Sequence, residues 1–296
     1  LLTYPEWHIV HAYEDFAHVL AEGDPHEFPY IAAVGDYWSS LCKLSRAAAP
    51  MGGADDETRM LVYTIGVSFT VEMMAKAFYE ETLGRIATLL RGGDPAPLDG
   101  LSAAQAAEYA GFLTQVPWYR WDFRAAAAAL DARSSGSLRD VERRLALGLE
   151  YRAKALYADQ IADAVADIGP DELTMRAVVR RSGPETLTTL AGIEGVTVVS
   201  LAEGRAIIET PRYRAFTGIA RQIAEAGIDF IEIAGNDSIM VSALSGEAAH
   251  PDALLSLARY GRDDVRHLIL MPVAALAEWI AAAEYGGSEL EHIHDY

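Results

Sequence analysis

The chain has 296 residues, of which 51% are hydrophobic and 23% charged, and its formal net charge is −19. So large an apolar fraction excludes an intrinsically disordered chain. The acidic excess excludes a general nucleic-acid binder and opposes binding to an anionic membrane surface. The single cysteine, Cys42, excludes an intramolecular disulfide and a cysteine-based zinc site. We therefore expect a folded acidic protein that has no nucleic-acid partner.

The first 169 residues have the apolar periodicity of helices. Clusters of glycine and proline separate the predicted helices, because both residues interrupt helical structure. The longest and most apolar predicted helix covers residues 56–90. Five other helices are predicted. The first begins at Pro5 and ends before Gly23, and the others cover residues 29–48, 102–115, a short alanine-rich segment after 123, and 138–168.

After Pro170 the pattern changes to strands alternating with helices. Residues 174–244 predict the order β-α-β-β-α-β and one further strand, which resembles the ferredoxin-like fold. On the first strand Met175, Ala177 and Val179 share one face. Residues 251–260 and 265–284 predict two terminal helices, and no internal repeat is visible.

These patterns predict an α+β protein built from three segments. An N-terminal helical domain covers residues 1–169, and a ferredoxin-like βαββαβ domain covers 170–248. C-terminal helices and an acidic tail cover 249–296, and we expect the tail to be solvated.

The first helix carries four potential metal ligands along one stripe, opposite its apolar side. Imidazole and carboxylate groups suit zinc or another divalent cation, so the stripe predicts a metal site, with a solvated polar face as the alternative. The stripe comprises His8, His11, Asp15 and His18. One ion cannot contact all four, so further ligands would come from the C-terminal tail: His292, His294 or Asp295.

Glu72 lies inside the most apolar predicted helix, with Lys76 four residues later and Glu80 eight residues later. A carboxylate in such a helix needs a partner or a raised pKa. The functional hypothesis is a general acid or base, or a ligand anchor, in the helical core. The structural hypothesis is a Glu72–Lys76 pair with help from Arg143 or Arg152.

The segment 116–123 is dense in aromatic residues, among them Trp118, Tyr119 and Trp121. Trp and Tyr favour surfaces that are apolar on one side and wet on the other, so this corner predicts an interface with a membrane or a partner protein. The alternative is a hinge within the helical core. Trp279 in the last predicted helix has the same two interpretations.

The sequence predicts no membrane-spanning helix, because Glu72 and Lys76 interrupt the apolar run that begins at Met60. It also has no Walker loop, no Gly-x-Ser-x-Gly and no His-Glu-x-x-His motif. These observations favour a protein that is not an enzyme.

The opening Tyr-Pro-Glu-Trp-His-Ile-Val at residues 4–10, together with Tyr-Trp-Ser-Ser-Leu-Cys at 37–42, resembles an uncharacterised bacterial family of envelope proteins. The likeness continues more loosely through residues 69–91. The resemblance implies a hydrophobic anchor upstream of Leu1 and a soluble body outside the cytoplasm. It implies no activity and no catalytic residue.

We therefore expect a non-enzymatic envelope protein, in the periplasm or at the outer face of the inner membrane, that serves as an accessory or scaffold subunit of a membrane protein complex. One alternative is an enzyme or a protein that binds a small ligand or a metal, with its site in the helical core around Glu72 or between domains. Another is a cytoplasmic regulatory module whose ferredoxin-like domain senses a small molecule. No cofactor is predicted apart from the candidate divalent metal.

Overall fold

The computed structural model describes residues 4–51, 53, 56–92, 94–133, 135–166 and 173–294. The described chain has a mixed α+β fold, in which helices are followed by two antiparallel four-stranded sheets. Contacts divide the chain into a helical unit, Pro5–Ser39 with Asp55–Pro170, and an α+β unit, Asp171–Tyr296 with Leu1–Tyr4 and Ser40–Ala54. The boundary predicted at residue 169 lies outside the described residues.

The helices predicted before residue 169 are confirmed, although the one predicted over 102–115 begins earlier, at Pro97. A π-helical turn, Glu80–Gly84, joins α3 to α4, so that Asp56–Arg91 is one helix of 36 residues. The helices are α1 (Tyr4–Glu22), α2 (Tyr30–Ala48), α3 (Asp56–Tyr79), α4 (Arg85–Arg91), α5 (Pro97–Leu113), α6 (Phe123–Arg133) and α7 (Leu138–Ala166).

Glycine lets α2 and α3 approach closely. A Cβ atom on Gly66 of α3 would lie 2.4 Å from the ring of Tyr37 on α2. The Tyr37 hydroxyl donates a hydrogen bond to the carbonyl of Val62 at 2.8 Å, and Trp38 donates one to Thr70 at 2.9 Å. This packing fixes which side of α3 faces the interior of the helical unit.

The first sheet has the strand order β2-β3-β1-β4. Its strand β1 is central, pairing antiparallel with β3 and β4, and buries Met175, Ala177 and Val179 as predicted. Its elements are β1 (Thr174–Arg180), α8 (Pro184–Gly192), β2 (Thr197–Ala202), β3 (Arg205–Pro211), α9 (Tyr213–Glu225) and β4 (Phe230–Ile233).

The second sheet corrects the prediction of C-terminal helices. Residues 251–260 and 265–284 contain two strands and one helix, and the tail forms a further strand. The elements are β5 (Ser238–Ser245), β6 (Ala253–Ala258), β7 (Val265–Pro272), α10 (Leu276–Gly286) and β8 (Glu289–His294). The prediction is wrong because a short continuous apolar run has no period that separates a buried strand from a helix. In β7 four consecutive residues, 266–269, are buried, so both faces of the strand are covered.

The expectation of a solvated acidic tail is also wrong for residues 289–294, because β8 pairs with β5. Leu290 and Ile293 are buried on it. Glu291 accepts two hydrogen bonds from Arg266 on β7, at 2.5 and 2.7 Å. The acidic residue is thus neutralised inside the sheet.

The two sheets have the same topology. The order of the second is β6-β7-β5-β8, which repeats the order of the first with each strand advanced by four. A helix connects the third strand to the fourth in both, α9 in one and α10 in the other. The first two strands are connected by α8 in the first sheet and by residues 246–252 in the second. The fold therefore contains an internal repeat that the sequence does not reveal.

Candidate functional site

Two helices of the helical unit, α3 and α7, face each other through charged side chains. The Lys154 ammonium lies 2.7 Å from the Glu72 carboxylate and 3.0 Å from that of Glu150. Lys76 lies 2.6 Å from the other oxygen of Glu150. The predicted Glu72–Lys76 pair is therefore replaced by two crossed pairs between the helices.

The third pair joins Glu80 of the π-helical turn to Arg143 of α7, at 2.7 and 2.9 Å. Arg143 is only 2% exposed. A Cβ atom on Gly84 would lie 2.2 Å from the Glu80 carboxylate, so glycine makes room for this carboxylate. We call the six side chains of these pairs the charge ladder: Glu72, Lys76, Glu80, Arg143, Glu150 and Lys154. Arg152, the other predicted helper of Glu72, is exposed and lies 3.6 Å from Asp131.

Aromatic rings surround the Lys154 end of the ladder. Its ammonium lies 5.1 Å from the ring centre of Tyr13, 5.4 Å from that of Tyr109 and 5.9 Å from that of Phe123. It donates a hydrogen bond to the Tyr13 hydroxyl at 3.0 Å, and this hydroxyl donates one to Glu72. Cation–π contacts and charge-assisted hydrogen bonds together stabilise a desolvated ammonium.

Two groups of the ladder, Lys154 and Glu150, are ionised at neutral pH. Burial alone would lower the pKa of Lys154, but Glu72, Tyr13 and Glu150 outweigh it and hold that pKa well above its ordinary range. Burial alone would raise the pKa of Glu150, but Lys76 and Lys154 outweigh it and lower that pKa to about 2. Protonated Lys154 is therefore no nucleophile, and ionised Glu150 is no general acid.

A cavity of about 360 Å³ lies within the helical unit beside the ladder. Residues of α1, α3, α5 and α7 line it, together with Trp121 and Phe123. Its other aromatic members include Phe16 and Tyr151. Most of the cavity wall is apolar. The six charged side chains of the ladder also line the cavity, and they form three ion pairs without net charge.

The ladder continues into a second charged cluster that sequence reasoning missed. Arg139 binds Asp99 at 2.8 Å and Glu142 at 2.8 Å. Arg91 binds Asp99 at 2.8 Å and Asp24 at 2.9 Å. No local spacing could reveal this cluster, because its members come from four separate segments of the chain.

The outer face of α3 lies opposite the ladder and carries large apolar side chains. They recur every three or four residues within an arc of about 80°. They are between 47% and 76% exposed. The outer face comprises Met60, Tyr63, Val67, Val71, Met74 and Phe78.

The sequence predicts no membrane-spanning helix, whereas the described part of the chain contains one candidate. The helix Asp56–Arg91 is long and apolar enough to cross a membrane, by length and composition, and only 28% of its most apolar stretch is buried. Between residues 60 and 80 the charged residues are Glu72, Lys76 and Glu80, all in the ladder. The sequence interpretation counts these charges as interruptions of the apolar run, although all three are paired inside the helical unit.

The predicted metal stripe on α1 is largely buried, so its alternative, a solvated polar face, is wrong for His8, His11 and Asp15. The His8 ring is hydrogen bonded to the Ala33 carbonyl at 3.1 Å. His11 contacts Glu14 at 3.1 Å, and His18 lies 3.8 Å from Glu22. These are contacts with protein groups, and metal binding by the stripe stays a prediction.

The tail residues predicted as additional ligands lie in the α+β unit or outside the described residues. The His292 and Thr217 side chains are hydrogen bonded at 3.1 Å, and those of His294 and Ser242 lie 3.4 Å apart. Asp295 is not among the described residues.

The aromatic corner packs against its own unit. Trp118 stacks on Tyr157 with ring centres 5.3 Å apart, and Trp121 meets Tyr109 at 5.5 Å. Tyr119 is half-buried and meets Trp118 at 6.3 Å. Trp279 is also half-buried, against the core of the α+β unit. These contacts favour a hinge in the core for the corner, and an interface role for it or for Trp279 stays a prediction.

No protein-family model matches this chain, and searches of the curated proteins and of the solved structures return no match.

Proposed function

We propose that this chain is a non-enzymatic, membrane-associated protein of the bacterial envelope, acting as an accessory or scaffold subunit of a membrane protein complex. The observation that carries the proposal is that α3 exposes a continuous row of large apolar side chains, while the charges in its middle are paired inside the helical unit. A helix of a water-soluble protein has the opposite arrangement.

The outer face of α3 lies against the hydrocarbon of a bilayer. From Met60 to Phe78 it extends about 27 Å at 1.5 Å per residue, close to the roughly 30 Å of a bilayer core. Charged residues stand just beyond both ends. Arg59 is exposed at one end, and Glu81 and Arg85 pair at 2.9 Å at the other. The net charge of −19 opposes anionic lipid, so burial of apolar surface supplies the affinity.

A second apolar stripe supports a protein partner. Leu138, Leu145, Leu149 and Leu156 of α7 are each more than 60% exposed and are spaced by seven, four and seven residues. That spacing is typical of a helix–helix seam. Exposed Arg152 lies beside the stripe, paired with Asp131. A charge at this position suits a protein surface better than lipid, so we assign the stripe to a helix of the partner.

Two finer features belong to the same proposal. The order β2-β3-β1-β4 supports a ferredoxin-like arrangement of residues 174–233, as the sequence predicts. The location in the periplasm or at the outer face of the inner membrane rests on the resemblance of residues 4–10 and 37–42 to envelope proteins. The neutral pairing of the cavity charges supports a role without catalysis.

The membrane association is tested by flotation of the purified full chain with phosphatidylcholine vesicles. We expect the wild-type chain to float and the Val71→Asp/Phe78→Asp variant to stay at the bottom of the gradient. The matched control, Ala125→Asp/Ala128→Asp, adds the same charge to exposed positions of α6 and should float. Equal flotation of both double variants would refute the assignment of the outer face.

The accessory role has its own test. In a mild detergent extract of the producing cells, we expect the wild-type chain to run in a complex larger than itself on a native gel. Leu145→Asp/Leu149→Asp should release it while leaving its vesicle flotation intact. A wild-type chain that runs alone would refute the accessory role.

A further inference from the structure

The cavity of the helical unit has the size and the walls of a ligand site. Its volume of about 360 Å³ falls within the range of small-molecule pockets, roughly 300–1,000 Å³. Water would fill it with on the order of a dozen molecules at about 30 Å³ each. Water gains little from walls that are mostly apolar, so a molecule that covers them gains affinity by displacing it.

The charges at the cavity select against a charged ligand. Three carboxylates, Glu72, Glu80 and Glu150, meet three cations of the ladder at 2.6 to 3.0 Å. A charged ligand would have to break one of these pairs and leave its own charge, or a ladder charge, without a partner in a mostly apolar site. A neutral ligand leaves all three pairs in place.

The rings at the cavity suit a flat ligand. Phe123 lies 5.7 Å from Tyr109 at an interplanar angle of 61°, and Trp121 lies 5.5 Å from Tyr109 at 62°. Phe16 belongs to the same wall. The cavity wall therefore presents both edges and faces of aromatic rings. An aromatic ring of a ligand can pack against them in the edge-to-face geometry that aromatic groups prefer.

Two neutral polar groups provide an anchor. Gln105 is buried, and its amide nitrogen donates a hydrogen bond to the Ala126 carbonyl at 2.9 Å. Its amide oxygen therefore faces Tyr151. The Tyr151 hydroxyl donates to that oxygen at a long 3.3 Å. An amide oxygen accepts two hydrogen bonds, so it has capacity for a ligand donor beside this one. Both groups line the cavity.

We propose that the cavity of the helical unit binds a neutral ring molecule that carries a hydroxyl group. The ring packs among Tyr109, Trp121 and Phe123, and its polar group exchanges hydrogen bonds with Gln105 and Tyr151. The charge ladder disfavours charged ligands, because its six groups are already paired with one another. This binding is independent of the membrane association proposed above.

Matched probes of one ring system test the ligand class. Binding of 2-naphthol to the purified full chain in detergent is measured by its fluorescence, with protein-free micelles subtracted. We expect one site per chain, and at least tenfold weaker binding of 2-naphthalenesulfonate, which has the same ring and a negative charge. The methyl analogue, 2-methylnaphthalene, should bind severalfold more weakly than the naphthol. Equal affinity for the sulfonate, or no binding of the naphthol, would overturn the proposal.

Two tryptophan substitutions test the location. Ala146 lines the cavity on α7, and Ala146→Trp fills it. Exposed Ala125 on α6 is outside the lining, and Ala125→Trp adds the same ring there. We expect the first variant to lose naphthol binding at least tenfold and the second to keep it, while both float with vesicles as the wild type does. Should Ala146→Trp fail to fold, Ala106→Phe fills the cavity from α5. Retained binding in a folded, filled variant would overturn the proposal.

Discussion

Replacing Lys154 with methionine tests whether the charge ladder holds α3 against α7. The substitution keeps the length and apolar stem of the side chain but removes the ammonium that lies 2.7 Å from Glu72 and 3.0 Å from Glu150. Glu150 retains Lys76 at 2.6 Å, and Glu72 retains the hydrogen bond from Tyr13. Glu72 thereby loses its cation while it stays within the helical unit.

Removing one partner of a fully buried ion pair costs about 3–5 kcal/mol, because the other charge is left uncompensated. The Glu72 side chain is 27% exposed and can be hydrated in part, so we expect a loss of about 1–3 kcal/mol. Folded proteins are stabilised by roughly 5–15 kcal/mol in total, so Lys154→Met removes a large share of the stability. We expect this loss in the free energy of unfolding, measured by urea titration of the full chain in detergent and followed by circular dichroism.

The control is the double variant Glu72→Gln/Lys154→Met, which removes both charges and keeps both shapes. Since neither charge is then left alone, we expect the double variant to lose at least about 1 kcal/mol less than the sum of the two single variants. A loss below about 1 kcal/mol for Lys154→Met, together with additive single effects, would refute the conclusion that the ladder stabilises the helical unit.

Three further outcomes follow from the same contacts. Because Lys76 and Lys154 lower the pKa of Glu150 to about 2 in the folded chain, this carboxylate stabilises the fold above its ordinary pKa of 4.5, and the contribution disappears as the pH falls toward 2. The stability difference between wild type and Glu150→Gln should shrink by roughly 3 kcal/mol over that range, as acid unfolding curves would show. Gly84→Ala should lower the midpoint of thermal unfolding, because the added Cβ atom displaces the Glu80 carboxylate from Arg143. The control is Gly111→Ala, which has open space around its Cβ position and should leave the midpoint unchanged or raise it. Gly66→Ala should lower the midpoint as well, since its Cβ atom would lie 2.4 Å from the Tyr37 ring, and an unchanged midpoint in either interior variant would contradict the corresponding close approach.

The sequence predicts the helices of the helical unit and the strands β1 to β5, because their periods are long or are bounded by glycine and proline. It fails after residue 250, where β6 and β7 are short apolar runs without a distinguishing period. Their strand form depends on pairing with each other and with β5, which is tertiary information.

The site shows the same division. A carboxylate inside the most apolar helix is a local signal, and it singles out Glu72, which lines the cavity of the helical unit. Its partner Lys154 lies on α7, and only the folded chain brings the two together. The outer face of α3 can be predicted from the sequence, because its large apolar residues between 60 and 78 recur at helical spacing, opposite Glu80. A count of charged residues that ignores their direction on the helix hides this pattern.

The most direct test of the central proposal is the environment of Val71 in vesicles. Cys42 is exposed and is the only cysteine, so Cys42→Ser provides a background for single labels. A nitroxide is attached at Val71→Cys on the outer face and, as a control, at Ala125→Cys on α6. Its collisions with oxygen and with a water-soluble nickel chelate are then measured by electron paramagnetic resonance. We expect the Val71 label to meet oxygen and be shielded from nickel, and the Ala125 label to meet nickel freely. Equal access of nickel to both labels would contradict the burial of the outer face in a bilayer.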